Sequence, residues 1–238
     1  MKSIIITGAS SGIGLATAQR FLAEGWRVGL MARRAEPLQK LAAAHENAVA
    51  LPADVTDETA VDAAFNGFGH LDVLFNNAGM FGPQVSIDEI PLADWQASVD
   101  VNLTGMFLCA RAAFRVMRFQ APQGGRIINN GSISAHTPRE GSTCYTTTKH
   151  GITGLTKTIA LDGRDFDIAC GQIDIGNART EMVDRMQKKR AAAGLDEMDT
   201  MPVEDVANAV LQMAQLPPEA NVLSMTIMAT KMPYVGRG

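Results

Sequence analysis

The chain has 238 residues, 46% apolar and 19% charged, with 21 Lys+Arg against 25 Asp+Glu and a formal net charge of −4. That apolar share supports a packed core and excludes intrinsic disorder, and the slightly acidic balance excludes the basic footprint of a nucleic-acid partner. Cys109, Cys144 and Cys170 show no CxxC or Cys/His spacing, so no metal site or disulfide framework is expected and the expected compartment is the reducing cytoplasm.

From the N-terminus, Ile4-Ile5-Ile6 is an unbroken β-branched run that ends in glycine after too few residues for a signal peptide or membrane span. Apolar residues at helical spacing follow from Ile13 to Ala23, so strand, tight turn and helix are expected in that order. The alternation repeats, with strands over Arg27–Ala32, Val49–Leu51 and Leu71–Phe75 and helices over Glu36–His45 and Glu58–Phe68. A long helical stretch from about Leu92 to Phe119 leads to strands at Arg126–Asn130 and Asp167–Ile173, with a helix over Thr143–Leu161 between them. Beyond Gly176 the pattern loosens into a helical stretch over Glu181–Ala193 bearing Lys188-Lys189-Arg190, an amphipathic helix over Val203–Gln215 and a last strand over Asn221–Met228. Strands separated by helices need right-handed crossovers, which build a parallel α/β sheet covered on both faces. With no repeat or linker, residues 1–238 are expected to form one domain with a substrate-side insertion at about 176–200.

Gly8, Ser10, Ser11, Gly12, Ile13 and Gly14 lie between the first strand and the first helix, where a dinucleotide-binding α/β fold receives its pyrophosphate. Glycine lets the backbone turn sharply and approach the anion, which the free N–H groups of a helix N-terminus attract. A tight turn without a ligand is the alternative reading. At the end of the second strand, where an NAD site has an acid for the ribose 2′-hydroxyl, the chain has Arg33 and Arg34. A guanidinium pairs with a 2′-phosphate, so NADP(H) is expected ahead of NAD(H), the alternative being solvated charge on a surface turn.

Tyr145 and Lys149, four residues apart near the start of a helix, share one face. A free tyrosine with a pKa near ~10 is a poor base at neutral pH, and a buried cation beside it favours the phenolate. Thr7-Gly8-Ala9-Ser10-Ser11-Gly12-Ile13-Gly14, Asp54-Val55, Asn76-Asn77-Ala78-Gly79, Val101-Asn102, Ser132 and Tyr145-Thr146-Thr147-Thr148-Lys149 follow in a fixed order. In that order and spacing the chain resembles the short-chain dehydrogenase/reductase family over nearly its whole length.

The resemblance implies a Rossmann-type, doubly wound fold with a mainly parallel seven-stranded sheet and helices on both faces. It implies that Tyr145 exchanges a proton with the carbonyl or alcohol oxygen, that Ser132 holds the same oxygen, and that Lys149 binds the nicotinamide ribose and lowers the Tyr145 pKa. Asn102 would hold a water that links Lys149 to solvent. Asp54 would meet the adenine amino group beside the Val55 backbone, unless it serves as a helix N-cap ahead of Thr56-Asp57-Glu58. The resemblance also places Asn77, Ala78 and Gly79 along the ribose, and Gly176, Ala178 and Thr180 near the nicotinamide. A homodimer or homotetramer through the helices near Leu103–Met117 and Cys144–Leu161 is implied as well. Ser134 is a rival hydroxyl with the wrong spacing, and Cys144 reads as a small packing residue.

The pattern departs in two places. Ile175 stands where the family has a proline, which should loosen the turn, and the acid at Asp174 is not part of the motif. The tail Lys231–Gly238 is expected either to cover a neighbouring subunit's substrate entrance or to fray. The substrate should be bounded by Met80-Phe81-Gly82, by Ile133–Thr143 and by Thr180–Ala193. Phe81, Met182, Val183 and Met186 offer an apolar wall, unless they only pack the insertion. His136, Arg139 and Arg179 offer an anion site, unless they are only solvated. Three readings follow: a reversible NADP(H)-linked ketone or aldehyde reductase, with 3-oxoacyl reductases as one subgroup; an NAD-dependent alcohol or sugar dehydrogenase using the same four residues; and a non-catalytic dinucleotide sensor.

Overall fold

The computed structural model describes residues 1–192 and 194–235. Ala193, the last residue of the expected helical stretch, and residues 236–238 of the tail lie outside the described residues. Seven strands, β1 (Ser3–Thr7), β2 (Arg27–Ala32), β3 (Ala48–Pro52), β4 (Val73–Asn76), β5 (Gly125–Asn130), β6 (Ile168–Ile175) and β7 (Ser224–Ile227), form one sheet. Its order is β3-β2-β1-β4-β5-β6-β7, and every pairing is parallel. The helices are α1 (Gly12–Ala23), α2 (Ala35–Ala44), α3 (Glu58–Phe68), α4 (Leu92–Val99), α5 (Gly105–Phe119), α6 (Thr143–Asp162), α7 (Glu181–Ala192) and α8 (Val203–Gln215).

Alternation of side chains along each strand divides the core into two layers. Ile4 and Ile6 enter one with Phe21 of α1 and Val206 and Val210 of α8. Ile5 enters the other with Phe65 of α3 and Leu108 and Ala112 of α5. Because both faces are buried, β1 is continuously apolar through Ile4–Ile6 rather than alternating. Strand order reverses between β1 and β4, and the crevice beyond their carboxyl ends is where this architecture takes a ligand.

The stretch expected as one helix over Leu92–Phe119 is α4 and α5 joined by a π-helical turn over Asp100–Thr104. A π-turn adds one residue without breaking the apolar face, so periodicity does not reveal it. Strand β6 runs on to Ile175, because isoleucine continues a ladder that proline would end, and Ile175 stands in register with Ile227. Asp174 is therefore a strand residue rather than part of a turn. Strand β7 starts three residues late because Asn221 is held elsewhere: its amide donates to the Cys170 carbonyl at 2.7 Å and its side-chain oxygen accepts from Arg126 at 3.0 Å. Among the described residues no helix is long and apolar enough to cross a membrane.

Candidate active site

The turn between β1 and α1 is shaped by glycine. Gly8 and Gly12 hold φ of +70° and +54°, and a Cβ on Gly14 would lie 2.3 Å from the Gly8 carbonyl oxygen. Ser11 precedes α1 without making a capping hydrogen bond, which leaves first-turn N–H groups to a ligand or water. These features fit a phosphate: a cradle that side chains would fill, facing an uncapped helix N-terminus. The Thr7 hydroxyl accepts from the Asn77 and Ala78 N–H groups at 2.8 and 2.9 Å, and the Asn77 amide donates to the Thr7 carbonyl at 2.9 Å. Asn77 and Ala78 are thereby clamped to the end of β1, and Gly79 follows them in the chain.

Arg34 reaches the same turn and donates to the Ser10 hydroxyl at 3.2 Å. Arg33 is exposed, with no side-chain bond among the described residues. Asp54 accepts from the backbone and hydroxyl of Thr56 at 3.0 and 2.9 Å, while Asp57 caps α3 by accepting from the Ala60 N–H. Asp54 is thus not the N-cap. Val55 is buried, 2.7 Å from where a Cβ on Gly105 would stand. Beyond β6, Gly176 accepts from the Ala178 N–H at 3.0 Å and Ala178 bridges to Met201. The Thr180 hydroxyl accepts from the Val183 N–H at the start of α7, and its methyl carbon lies 3.2 Å from where a Cβ on Gly12 would stand. Gly12 and Thr180, 168 positions apart in the sequence, therefore share one wall.

Tyr145 and Lys149 lie one turn apart on α6, with the Lys149 Nζ 5.4 Å from the phenol ring centre. The ammonium is 4% exposed and donates to the Asn130 carbonyl at 2.7 Å, its one hydrogen bond among the described residues. Two of its three N–H groups are left for a ligand, as the ribose hydroxyls of a dinucleotide would require. The Ser132 hydroxyl accepts from the Ser134 N–H at 3.1 Å. The Ser134 hydroxyl is buried without a partner among the described residues. Phe81 packs on Tyr145 with ring centres 4.8 Å apart.

Asn102 sits on the π-turn and is 1% exposed. Its side-chain oxygen accepts from the Met80 N–H at 2.7 Å, and its amide donates to the Met80 carbonyl at 2.8 Å and to the Thr148 hydroxyl at 3.3 Å. It clamps the loop after β4 to α6 and keeps one free lone pair. Cys144 is fully buried, with its Cβ 3.2 Å from where a Cβ on Gly82 would stand.

One group at the site was visible in the sequence only as a departure. The Asp174 carboxylate, wholly buried, accepts from the Ser132 N–H at 2.9 Å, from the Gln172 amide at 2.6 Å and from the His136 Nε2 at 2.8 Å. The signal was available: Gln172 and Asp174, two residues apart in a strand, place polar groups on one face of an otherwise apolar sheet.

Electrostatics follow from this packing. Burial, the largest influence, pushes the Tyr145 phenol above its ordinary value; the Ser132 hydroxyl and the Arg139 charge pull it down, and Asp174 pushes it up. The lowering by Lys149 that the resemblance implies is not among these influences. Burial also brings Lys149 down to about 8, opposed by Asp174. A cavity of about 650 Å³ opens among α8, Asp199–Pro202 and Ile227–Lys231, and it holds neither Tyr145 nor Lys149. Among the described residues no cluster of three His, Cys, Asp or Glu could hold a metal ion.

A family model described as short chain dehydrogenase matches residues 2–191. The chain belongs to the short-chain dehydrogenase family. Serine 3-dehydrogenase of Rhizobium radiobacter is 32% identical over 98% of this chain and 96% of its own length. Glucose 1-dehydrogenase 2 of Bacillus subtilis strain 168 is 36% identical over 76% of this chain and 73% of its own. Among solved structures, the closed form of a serine dehydrogenase complexed with NADP+ superposes with a TM-score of 0.90 at 25% identity, covering 99% of this chain and 98% of that one. The chain is thus an oxidoreductase of this family with a Rossmann-type fold.

Proposed function

We propose that the chain interconverts a ketone or aldehyde and its alcohol with NADP(H), Tyr145 being the acid/base. The observation that carries this reading is the placement of Tyr145, Lys149 and Ser132 around the carboxyl ends of β5 and α6's first turns, beside an uncapped glycine cradle. Bound nicotinamide would supply or accept the hydride. Tyr145, kept protonated at neutral pH by burial, donates its proton to a carbonyl oxygen as charge develops there, and takes it back in oxidation. Ser132 already accepts from the Ser134 N–H, so its own proton is free to hold the same oxygen.

Lys149, with two unfilled N–H groups, binds the nicotinamide ribose, and the remaining lone pair of Asn102 receives a relay water. The glycine turn from Gly8 to Gly14 takes the pyrophosphate, Asp54 and Val55 the adenine, and Asn77–Gly79 the ribose. Gly176, Ala178 and Thr180 approach the nicotinamide. Arg33 and Arg34 take the 2′-phosphate; the Arg34 bond to Ser10 and the NADP+ in the similar serine dehydrogenase support that choice. Exposed Phe107 on α5 and Leu161 on α6 support a homodimer or homotetramer that covers those helices. The three free buried cysteines support a cytoplasmic, reducing setting for this single-domain enzyme.

The test is titration of the purified protein with NADPH and NADH by nicotinamide fluorescence, followed by a panel of carbonyl substrates. Tighter NADPH binding with turnover of a carbonyl is expected. Binding without turnover across the panel would favour a dinucleotide sensor, and binding of neither nucleotide would overturn the reading of the glycine turn.

A further inference from the structure

We infer that His136, oriented by the buried Asp174, and Arg139 form a subsite for a carboxylate carried by the substrate next to its reacting carbonyl. The inference rests on the reading of Tyr145 as the acid/base. It starts from Asp174, whose carboxylate has no exposure and survives burial only because three donors surround it: the Ser132 N–H, the Gln172 amide and His136. A Cβ on Gly131 would fall 2.1 Å from the Asp174 Oδ1, so the contact with Ser132 exists only with glycine there.

A carboxylate only accepts, so the proton shared with Asp174 sits on the His136 Nε2. That fixes the ring and leaves Nδ1 with no partner among the described residues. The imidazole is nevertheless 41% exposed. A histidine tied to a buried acid at one nitrogen and open at the other is oriented for a solute. It shares the Asp174 carboxylate with the Ser132 N–H, which puts it beside the residue that would hold the reacting oxygen.

Arg139 lies three residues further along the same loop. The Ser142 hydroxyl donates to the Arg139 carbonyl at 2.6 Å and accepts from its N–H at 3.3 Å, tying Arg139 to the start of α6 just ahead of Tyr145. Its guanidinium has no acidic partner among the described residues. It is near enough to Tyr145 to favour the phenolate. The guanidinium presents N–H donors to one carboxylate oxygen, and the imidazole presents one to the other when Nδ1 carries a proton.

The experiment compares 2-oxo and 3-oxo acids with their methyl esters, using NADPH and NADH, in the wild type, His136→Gln and Arg139→Gln. The wild type is expected to favour the acid in kcat/KM by roughly 10- to 100-fold, and each variant to lower that preference about tenfold, mainly through KM of the acid. A purely structural role would move acid and ester together. An acid-to-ester ratio near one in the wild type, or a ratio that neither variant changes, overturns the subsite alone. No turnover of any acid, ester or other carbonyl overturns the Tyr145 reading and the subsite with it, whereas turnover of other carbonyls alone overturns only the subsite. Should His136→Gln fail to fold for want of a donor to Asp174, Arg139→Gln, outside that buried network, decides the matter.

Discussion

The cradle at the end of β1 and the cluster at the ends of β5 and β6 are built by opposite means. Around Gly8–Gly14 the backbone makes the surface, and the requirement on the sequence is the absence of side chains. Around Tyr145, Lys149 and Asp174 the backbone is ordinary helix and strand, with Ser132 in the extended segment just after β5, and function depends on which side chains meet. A backbone-built site should tolerate most changes except those at glycine. A side-chain-built site should keep its fold and lose its chemistry when one group is altered.

The largest test of that contrast is Gly14→Ala. Its Cβ would sit 2.3 Å from the Gly8 carbonyl oxygen, so the turn must open. A loss of about 2–3 kcal/mol of stability is expected, with weaker nucleotide binding. Ser10→Ala in the same turn removes only an exposed bond to Arg34 and should stay within about 0.5 kcal/mol. Thermal melts of the two variants decide it, and equal losses would remove the distinction.

Arg33→Asp sharpens the comparison at the edge of the cradle, where a side chain rather than the backbone selects the nucleotide. An acid there repels a 2′-phosphate and accepts from a 2′-hydroxyl, so the ratio of NADPH to NADH affinity should fall by about 10- to 100-fold. An unchanged ratio in Arg33→Asp and in Arg34→Asp would leave both arginines to solvent.

A smaller effect concerns pH. Burial pushes Cys109 and Cys170 up to about 12 from 9.0, so the folded chain keeps both protons after the unfolded chain has lost them. Each thiol therefore lowers stability as pH rises above about 9, by about 1.4 kcal/mol per pH unit. Lys149 acts oppositely: at about 8 when folded against 10.5, it raises stability across that interval. Two thiols and the Tyr145 phenol, also raised by burial, against one amine leave a net decline between pH 9 and 10, which Cys109→Ala should lessen in denaturant melts at those two values. A decline of the same slope in the variant would contradict the burial account.

Much of this was legible in the sequence because it is enforced by period and by glycine. The unbroken run at Ile4–Ile6 and the helical spacing from Ile13 gave β1 and α1 nearly to the residue, and β2 and α3 to their ends. The π-turn at Asp100–Thr104 was hidden because it leaves the apolar face intact. Strand β6 runs two residues past the expected end at Ile173 and takes in Asp174. The burial of Asp174 depends on donors from Ser132, which is 42 positions away, and from His136, which no local pattern announces. Sequence spacing finds groups that share one element, such as Tyr145 and Lys149, and misses those that meet only when two elements pack.

The central claim is that the phenol of Tyr145 moves the proton while other groups hold the nucleotide. The most direct measurement sets wild type beside Tyr145→Phe, with nicotinamide fluorescence titration and turnover of the same carbonyl substrate. The two should bind NADPH within about twofold of each other while turnover falls by about 10²- to 10⁴-fold in the variant. Turnover by Tyr145→Phe at the wild-type rate would contradict the account.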